Sequence, residues 1–183
     1  MVKGVDDLNS LHLDVLREIG NIGAGNAVTA LAKLLNRKVD MDVPMVKIFK
    51  FNELSETFGG AELPVVGILL KVSGDLTGYI MYILERDAAS TLVNMLMGRP
   101  LYEMSEFSEM DISALKEIGN ILTGSYLSAL SGLTNLKIVS SFPDLAIDMA
   151  GAILSVPAIE FGKVGDTVLY IETQFVEGEK KVV

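Results

Sequence analysis

Two stretches of the chain carry apolar and small residues at the spacing of a buried helix face. Over about 10–36 the residues at these positions are Leu16, Gly20, Gly23, Ala27, Leu31 and Leu34. Over about 108–133 they are Leu115, Gly119, Leu122, Tyr126, Leu130 and Leu133. The second stretch opens with a loose capping box, in which Ser108 precedes Asp111 by three positions. The pattern therefore predicts two long helices.

The segments after the first helix have short apolar runs that are typical of strands. An extended segment, "RKVDMDVPMVKIFKF", is expected around Pro44, and a loop, "NELSETFGGAEL", follows it. Two strands come next, "PVVGILLKV" and "GYIMYILE", joined by "SGDLT". A third helix, "RDAASTLVNMLMG", is expected to end at Gly98, because glycine commonly caps helix C-termini.

The segments after the second helix repeat this order in part. The extended segment is "LKIVSSFPDLAIDM", around Pro143. Two further strands are predicted, "GAILSVPAIEF" and "DTVLYIETQFV", with "GKVG" as the turn between them and "EGEKK" as a final loop. The last of these strands corresponds to "PVVGILLKV", so the second copy is expected to lack the strand and helix that follow in the first.

The repeated order predicts an internal duplication. We expect one domain over 1–183, made of two repeats at about 10–100 and 108–183, with the last strand and helix absent from the second. The fold class is α+β, because the two halves are predicted to share antiparallel sheet. The two long helices should lie on one face of that sheet and be related by a pseudo-two-fold axis.

The glycines of "REIGNIGAGNAVTAL" do not fit a phosphate-binding loop. The dinucleotide fingerprint is G-x-G-x-x-G after a strand, whereas this chain has G-x-x-G-x-G inside a helical pattern. The second copy, "KEIGNILTGSYLSAL", also has Leu122 where the first has Gly23. A helix tolerates that change and a phosphate cradle does not, so these glycines are assigned to helices.

A polar stripe runs along each long helix, opposite its apolar face. With 100° per residue, the members of each stripe fall within about 60° of its glutamate. The first stripe contains Asp14, Glu18, Asn21, Gly25 and Thr29. The second contains Ser113, Glu117, Asn120, Gly124 and Ser128. A solvated surface retained since the duplication is the simpler interpretation, but two matching Glu-x-x-Asn-x-x-x-Gly patterns favour a function.

The stripe offers a carboxylate, an amide and a bare spot. The carboxylate can pair with a lysine or arginine of another protein, and the amide can orient a water molecule. The glycine lets a partner surface approach the helix. Phosphoryl transfer suits such a surface, because positioning of the attacking water dominates that chemistry.

Composition excludes several other classes of protein. The chain has no cysteine and one histidine, His12, which argues against thiol chemistry, zinc sites and a Ser-His-Asp triad. A formal net charge of −9 disfavours nucleic acid and anionic membranes as partners. With no signal-peptide pattern and no membrane-spanning run, we expect the cytoplasm.

The doubled motif resembles the CheC, CheX and FliY family of phosphatases, and its CheC members most of all. In each copy the pattern is Asp/Ser-x-x-x-Glu-x-x-Asn, followed after 22 residues by Pro44 or Pro143. The resemblance implies a CheC-like fold and dephosphorylation of the phosphoaspartate of the chemotaxis regulator CheY. Asn21 and Asn120 would position the water.

The resemblance also implies the remaining roles. Glu18 and Glu117 would pair with the active-site lysine of CheY, and Asp14 and Ser113 would be supporting residues. Gly25 and Gly124 complete the stripes. No cofactor or metal site of its own is expected, since the regulator holds Mg²⁺. A second partner, the deamidase CheD, is carried by the resemblance alone.

Two other functions stay open at this point. The chain could be a non-catalytic binding module that acts through CheD or the flagellar motor, as CheC-like domains do in the switch protein FliM. It could also act chiefly as a regulator of CheD with weak phosphatase activity. Retention of both Glu–Asn pairs favours the phosphatase.

Overall fold

A computed structural model describes residues 10–36, 40–41, 45–57, 59–100, 106–161, 167–172, 175–177 and 180–181. The helices are α1 Ser10–Leu35, α2 Phe51–Thr57, α3 Arg86–Met97, α4 Glu109–Thr134 and α5 Ala150–Phe161. The strands are β1 Asp40–Met41, β2 Met45–Lys50, β3 Pro64–Gly74, β4 Gly78–Glu85, β5 Ile138–Ser140, β6 Asp144–Met149, β7 Thr167–Glu172, β8 Phe175–Glu177 and β9 Lys180–Lys181.

The α+β prediction is confirmed, and every strand pair is antiparallel. Strand β3 is central: β4 pairs along one edge, and β5 and β6 share the other. Strands β2 and β7 form a second sheet, and β8 lies between β1 and β9 in a third.

Both long helices form where the sequence predicts them. The capping box of α4 is complete, since the Ser108 hydroxyl accepts from the Asp111 N–H and the Asp111 carboxylate accepts from the Ser108 N–H at 2.9 Å. Helix α4 ends at Asn135, whose φ of 58° is left-handed. The predicted cap of α3 is also present, with Gly98 at a φ of 67°.

Three segments differ from their predicted type. The stretch predicted as a loop begins with helix α2, which is stabilised where the Glu53 carboxylate accepts the Lys50 N–H at 3.2 Å. The predicted strand "GAILSVPAIEF" is helix α5, because a short apolar run fits a buried helix as well as a strand. In the final segment, Lys180–Lys181 form strand β9 rather than loop. The predicted turn "GKVG" and Pro44 lie outside the described residues.

Strand β3 is buried on both faces, which explains why two helical layers surround it. Its residues Val66, Ile68 and Leu70 face α3 and α4, in one apolar cluster. Val65 faces the other way, in a cluster with Ala150 and Ile153 of α5. Helix α1 packs against α4 on the same side, in a cluster that includes Tyr82 and Leu84 of β4. The two long helices thus lie on one face of the sheet, as predicted, and α5 covers the opposite face.

Corresponding strands of the two halves make corresponding pairings, each with a strand of the other half. Met45 of β2 pairs with Glu172 of β7. Its counterpart 99 positions later, Asp144 of β6, pairs with Leu69 of β3. Strand β2 of the first half therefore pairs with β7 of the second half, and β6 of the second half pairs with β3 of the first half. The boundaries of the two repeats stay a prediction.

Helices α1 and α4 pack directly against each other and bury most of the predicted apolar faces. A Cβ at Gly23 would overlap the ring of Tyr126, so the glycine permits this close approach. A Cβ at Gly119 would lie 2.8 Å from Ile68 Cγ2, so that glycine brings α4 close to β3. The prediction fails at Leu133, which is 53% exposed in the last turn of α4.

Within the described part of the chain, no helix combines the length and the apolar character that crossing a membrane requires.

The buried Asp111 generates a prediction about acid stability. Burial alone would raise the pKa of this carboxyl, but the hydrogen bonds from Ser108 and the Arg99 guanidinium at 2.8 Å lower it below its ordinary value of 3.8. A carboxyl with a lowered folded-state pKa stabilises the fold above its unfolded value and loses that contribution as the pH falls through the folded value.

We expect Asp111→Asn to be less stable at neutral pH by about 1 kcal/mol, because the capping box and ion pair are weakened. Its thermal midpoint should then fall less steeply than that of the wild type below pH 3.8. Thermal unfolding followed by circular dichroism over that range measures both effects. The control is Asp87→Asn, an exposed carboxylate in the first turn of α3. An Asp111→Asn profile parallel to the wild type would contradict the account.

Candidate functional site

The α1 stripe, defined as Asp14, Glu18, Asn21, Gly25 and Thr29, lies on the outer side of its helix. Asp14, Glu18 and Thr29 are exposed, and Asn21 and Gly25 are half-buried. The opposite side carries Gly20, Gly23, Ala27 and Leu31, all of which are buried. Helical geometry thus brings the five predicted residues together along about four turns of one helix face.

The α4 stripe, defined as Ser113, Glu117, Asn120, Gly124 and Ser128, is exposed at every position. Its opposite side is held by buried Leu115, Gly119 and Leu122. Because α1 and α4 pack together through their apolar faces, both stripes are left pointing away from the shared core.

The stripe glycines differ from those in the core. A Cβ built at Gly25 or at Gly124 would meet nothing within 4 Å. At Gly23 and Gly119 the same Cβ would collide with a neighbouring side chain. Packing therefore explains the core glycines, whereas it leaves the stripe glycines unexplained despite a helix cost of about 1 kcal/mol each.

Local bonds engage three members of the α1 stripe. Asp14 forms an exposed ion pair with Arg17 at 2.9 Å, and the Thr29 hydroxyl donates to the Gly25 carbonyl at 2.9 Å. In the second copy the positions of Asp14 and Arg17 are occupied by Ser113 and Lys116. Exposed pairs of this type contribute little to stability, so Asp14 remains accessible to a competing cation.

The two asparagines differ in their surroundings. Asn120 is exposed, whereas the amide oxygen of Asn21 is buried and accepts no hydrogen bond from the residues that the structure describes. A buried acceptor without a donor costs about 1–3 kcal/mol. Nothing in the matching sequences of the two motifs predicts this difference.

A buried polar contact lies beneath the α4 stripe. Thr123, fully buried between Asn120 and Gly124 in the sequence, donates its hydroxyl proton to the Tyr82 hydroxyl at 3.1 Å. Burial raises the pKa of Tyr82 to about 12, so the phenol remains neutral. The first copy has Ala24 at the position of Thr123, so comparing the copies could have singled out this threonine.

Among the described residues, no group of three or more His, Cys, Asp or Glu side chains is arranged to hold a metal ion. His12 lies in α1, and Pro143 lies between β5 and β6. The chemical resources of the two stripes are therefore carboxylates, amides, hydroxyls and open helix backbone. Such groups can bind a cation and hold a water molecule.

The comparisons with known proteins agree with this fold. The model of the CheC-like family matches residues 11–48 and 110–145, which include both stripes. A Bacillus subtilis protein described as CheY-P phosphatase CheC is 44% identical over 164 residues, which cover 88% of this chain and 78% of that protein. The B. subtilis flagellar motor switch phosphatase FliY is 31% identical over 140 residues, which are 76% of this chain but 36% of that protein.

A solved structure supports the same assignment. The crystal structure of Thermotoga maritima FliY matches with a TM-score of 0.78 and 26% identity, over 96% of this chain and 88% of that one.

The glycine contacts generate a prediction about stability. Gly23→Leu should lower the thermal midpoint by 5 °C or more, roughly, because a side chain there must displace the Tyr126 ring. Gly25→Leu should leave the midpoint unchanged or slightly raised, because its side chain enters open space and leucine favours helix. Calorimetry of the two variants measures the difference. Equal destabilisation would mean that Gly25 also belongs to the packed interface.

Proposed function

The chain belongs to the CheC-like family, and on that premise we propose that it is a phosphatase that dephosphorylates CheY. One observation carries the proposal: two outward-facing Glu–Asn pairs, each with a bare glycine one turn later, occur in a chain 44% identical to a CheY-P phosphatase. We place the reaction in the cytoplasm, where the regulator of a chemotaxis receptor operates.

The asparagine of each stripe, Asn21 or Asn120, orients the attacking water. Its amide oxygen accepts a hydrogen bond from one O–H of the water, while a lone pair of the water oxygen points toward phosphorus. The water oxygen forms the new bond to phosphorus, and the bond from phosphorus to the aspartate oxygen breaks. The aspartate leaves as a carboxylate, inorganic phosphate is released, and the water's proton passes to phosphate or solvent.

The glutamate of each stripe, Glu18 or Glu117, docks the regulator. A carboxylate on an exposed helix face can pair with a lysine at the phosphorylation site of CheY. That pairing places the amide three residues later against the phosphoryl group, since residues at i and i+3 are neighbours on a helix. Asp14 and Ser113 support the same face one turn earlier.

No cofactor of the chain's own is needed in this scheme. The Mg²⁺ that neutralises the phosphoryl oxygens is held by the regulator, which also supplies the aspartate leaving group. The chain contributes a water-orienting amide, a docking carboxylate and a gap at the glycine through which the regulator's surface reaches the helix.

The alternative is a non-catalytic binding module that acts through CheD or the flagellar motor. Exposed apolar side chains on α5, Val156 at 47% and Ile159 at 74%, favour some further protein contact. They lie on the opposite face of the sheet from α4, so such a contact would be compatible with the phosphatase. The assay below separates the two functions.

The double variant Asn21→Ala plus Asn120→Ala should reduce the acceleration of CheY-P decay at least about 100-fold, because neither stripe can then orient water. Decay is followed after phosphorylation of CheY with a small-molecule donor. The fold should persist, because Asn120 is exposed and Asn21 contributes a covered oxygen without a donor rather than an apolar contact. The matched control is Asn26→Ala, an exposed asparagine of α1 whose amide donates to the Ile22 carbonyl of the same helix.

Two outcomes would contradict the phosphatase proposal. Wild-type protein that leaves the decay rate unchanged would favour the binding module. A double variant as active as the wild type would exclude the Glu–Asn pairs as the site.

Filling the gaps at the glycines tests the docking step. Gly25→Leu combined with Gly124→Leu should raise KM for CheY-P about tenfold or more, because the leucines keep the regulator away from the helix. Gly132→Leu, another open position near the end of α4, serves as the control. Unchanged KM in the double leucine variant would remove the close-approach argument while leaving the asparagine roles intact.

A further inference from the structure

The two stripes have the same sequence pattern but present their asparagines differently. Asn120 is exposed to solvent, while Asn21 is half-buried with its amide oxygen covered and without a donor among the described residues. A water-orienting asparagine needs that oxygen, because it is the atom that accepts the water proton. In this conformation, Asn21 offers solvent only its NH₂ group at most.

The helix beneath Asn120 is also fixed more firmly. The hydrogen bond from the fully buried Thr123 to the half-buried Tyr82 ties α4 to β4, one helical turn from Asn120. The corresponding residue of α1 is Ala24, which has no side-chain polar group. Rotation of α4 about its axis would break a buried hydrogen bond, whereas rotation of α1 meets no such penalty at this position.

We propose that the two sites are unequal: the α4 stripe is ready for catalysis in the free protein, whereas the α1 stripe works only after Asn21 turns its amide oxygen outward. This inference rests on the proposed phosphatase function. Turning the amide exchanges the positions of its oxygen and its NH₂ group, so the contacts that form when a regulator and its water dock must favour the turned state.

Single-site variants measure the inequality. Asn120→Ala leaves only the α1 stripe, and Asn21→Ala leaves only the α4 stripe. Because the α1 site must first change rotamer, the kcat for CheY-P hydrolysis should be about threefold to tenfold lower in Asn120→Ala than in Asn21→Ala. Equal kcat values, a reversed order, or a difference confined to KM would overturn the inference.

Thr123 provides a test of the supporting contact. In the Asn21→Ala background, Thr123→Val keeps the shape of the side chain but removes the bond to Tyr82. It should lower kcat severalfold with KM unchanged, and Thr123→Ser should restore kcat. A loss of thermal stability without a change in kcat would mean that Thr123 is structural only.

A measurement that needs no activity separates this inference from the proposed function. Asn21→Ala removes a buried acceptor without a donor, and Asn120→Ala removes an exposed amide of the same size. The thermal midpoint of Asn21→Ala should therefore exceed that of Asn120→Ala by about 2–4 °C. If the wild type does not hydrolyse CheY-P, the proposed function fails, but this comparison still decides whether the Asn21 oxygen is buried without a donor while Asn120 is exposed. Equal midpoints, or a lower value for Asn21→Ala, would overturn it.

Discussion

The close packing of α1 on α4 is the contact on which the rest of the structure depends. The helices approach because Gly23 of one faces the Tyr126 ring of the other, and a side chain at position 23 would hold them apart. Leu31 and Ile118 then close an apolar cluster between them. This packing buries one face of each helix, so the polar stripes on the opposite faces point outward.

Duplication explains how one chain obtains two such stripes. The two copies carry side chains of different size at corresponding interface positions. Gly23 of the first copy corresponds to Leu122 of the second, and Ala27 corresponds to Tyr126. Those changes compensate each other across the contact. Among the described residues, a Cβ at Gly25 or Gly124 would meet nothing within 4 Å, so packing inside the molecule does not explain why both stripes keep a glycine there.

The sequence was sufficient for the two long helices, the capping box of α4, the Gly98 cap of α3 and the central hairpin, because these follow from local periodicity and local hydrogen bonds. Ser108 and Asp111 form the capping box that their spacing predicts. Helix α5 was missed because its uniformly apolar run carries no period, and only its contact with Gly67 and Val65 of β3 selects the helix. The prediction that Leu133 is buried was wrong for a related reason. Periodicity does not show where the elements that pack against a helix end.

The candidate site divides in the same way. Helical geometry alone placed Glu18, Asn21 and Gly25 on one face and left that face outside the core. The matching motifs do not distinguish the covered oxygen of Asn21 from the exposed Asn120. Comparing the copies could single out Thr123, but its partner Tyr82 comes from another element of the fold. Identical motifs can therefore differ in chemistry when the packing around them differs.

The central claim is that the outward stripes of α1 and α4 are the surfaces that meet the phosphorylated regulator. Nuclear magnetic resonance of the labelled chain, titrated with CheY carrying a phosphoryl mimic, tests it most directly. The account predicts that the amide signals of Gly25 and Gly124 shift or broaden most, together with their stripe neighbours. Perturbations confined to α5, on the opposite face of the sheet, and to strand β6 would contradict it.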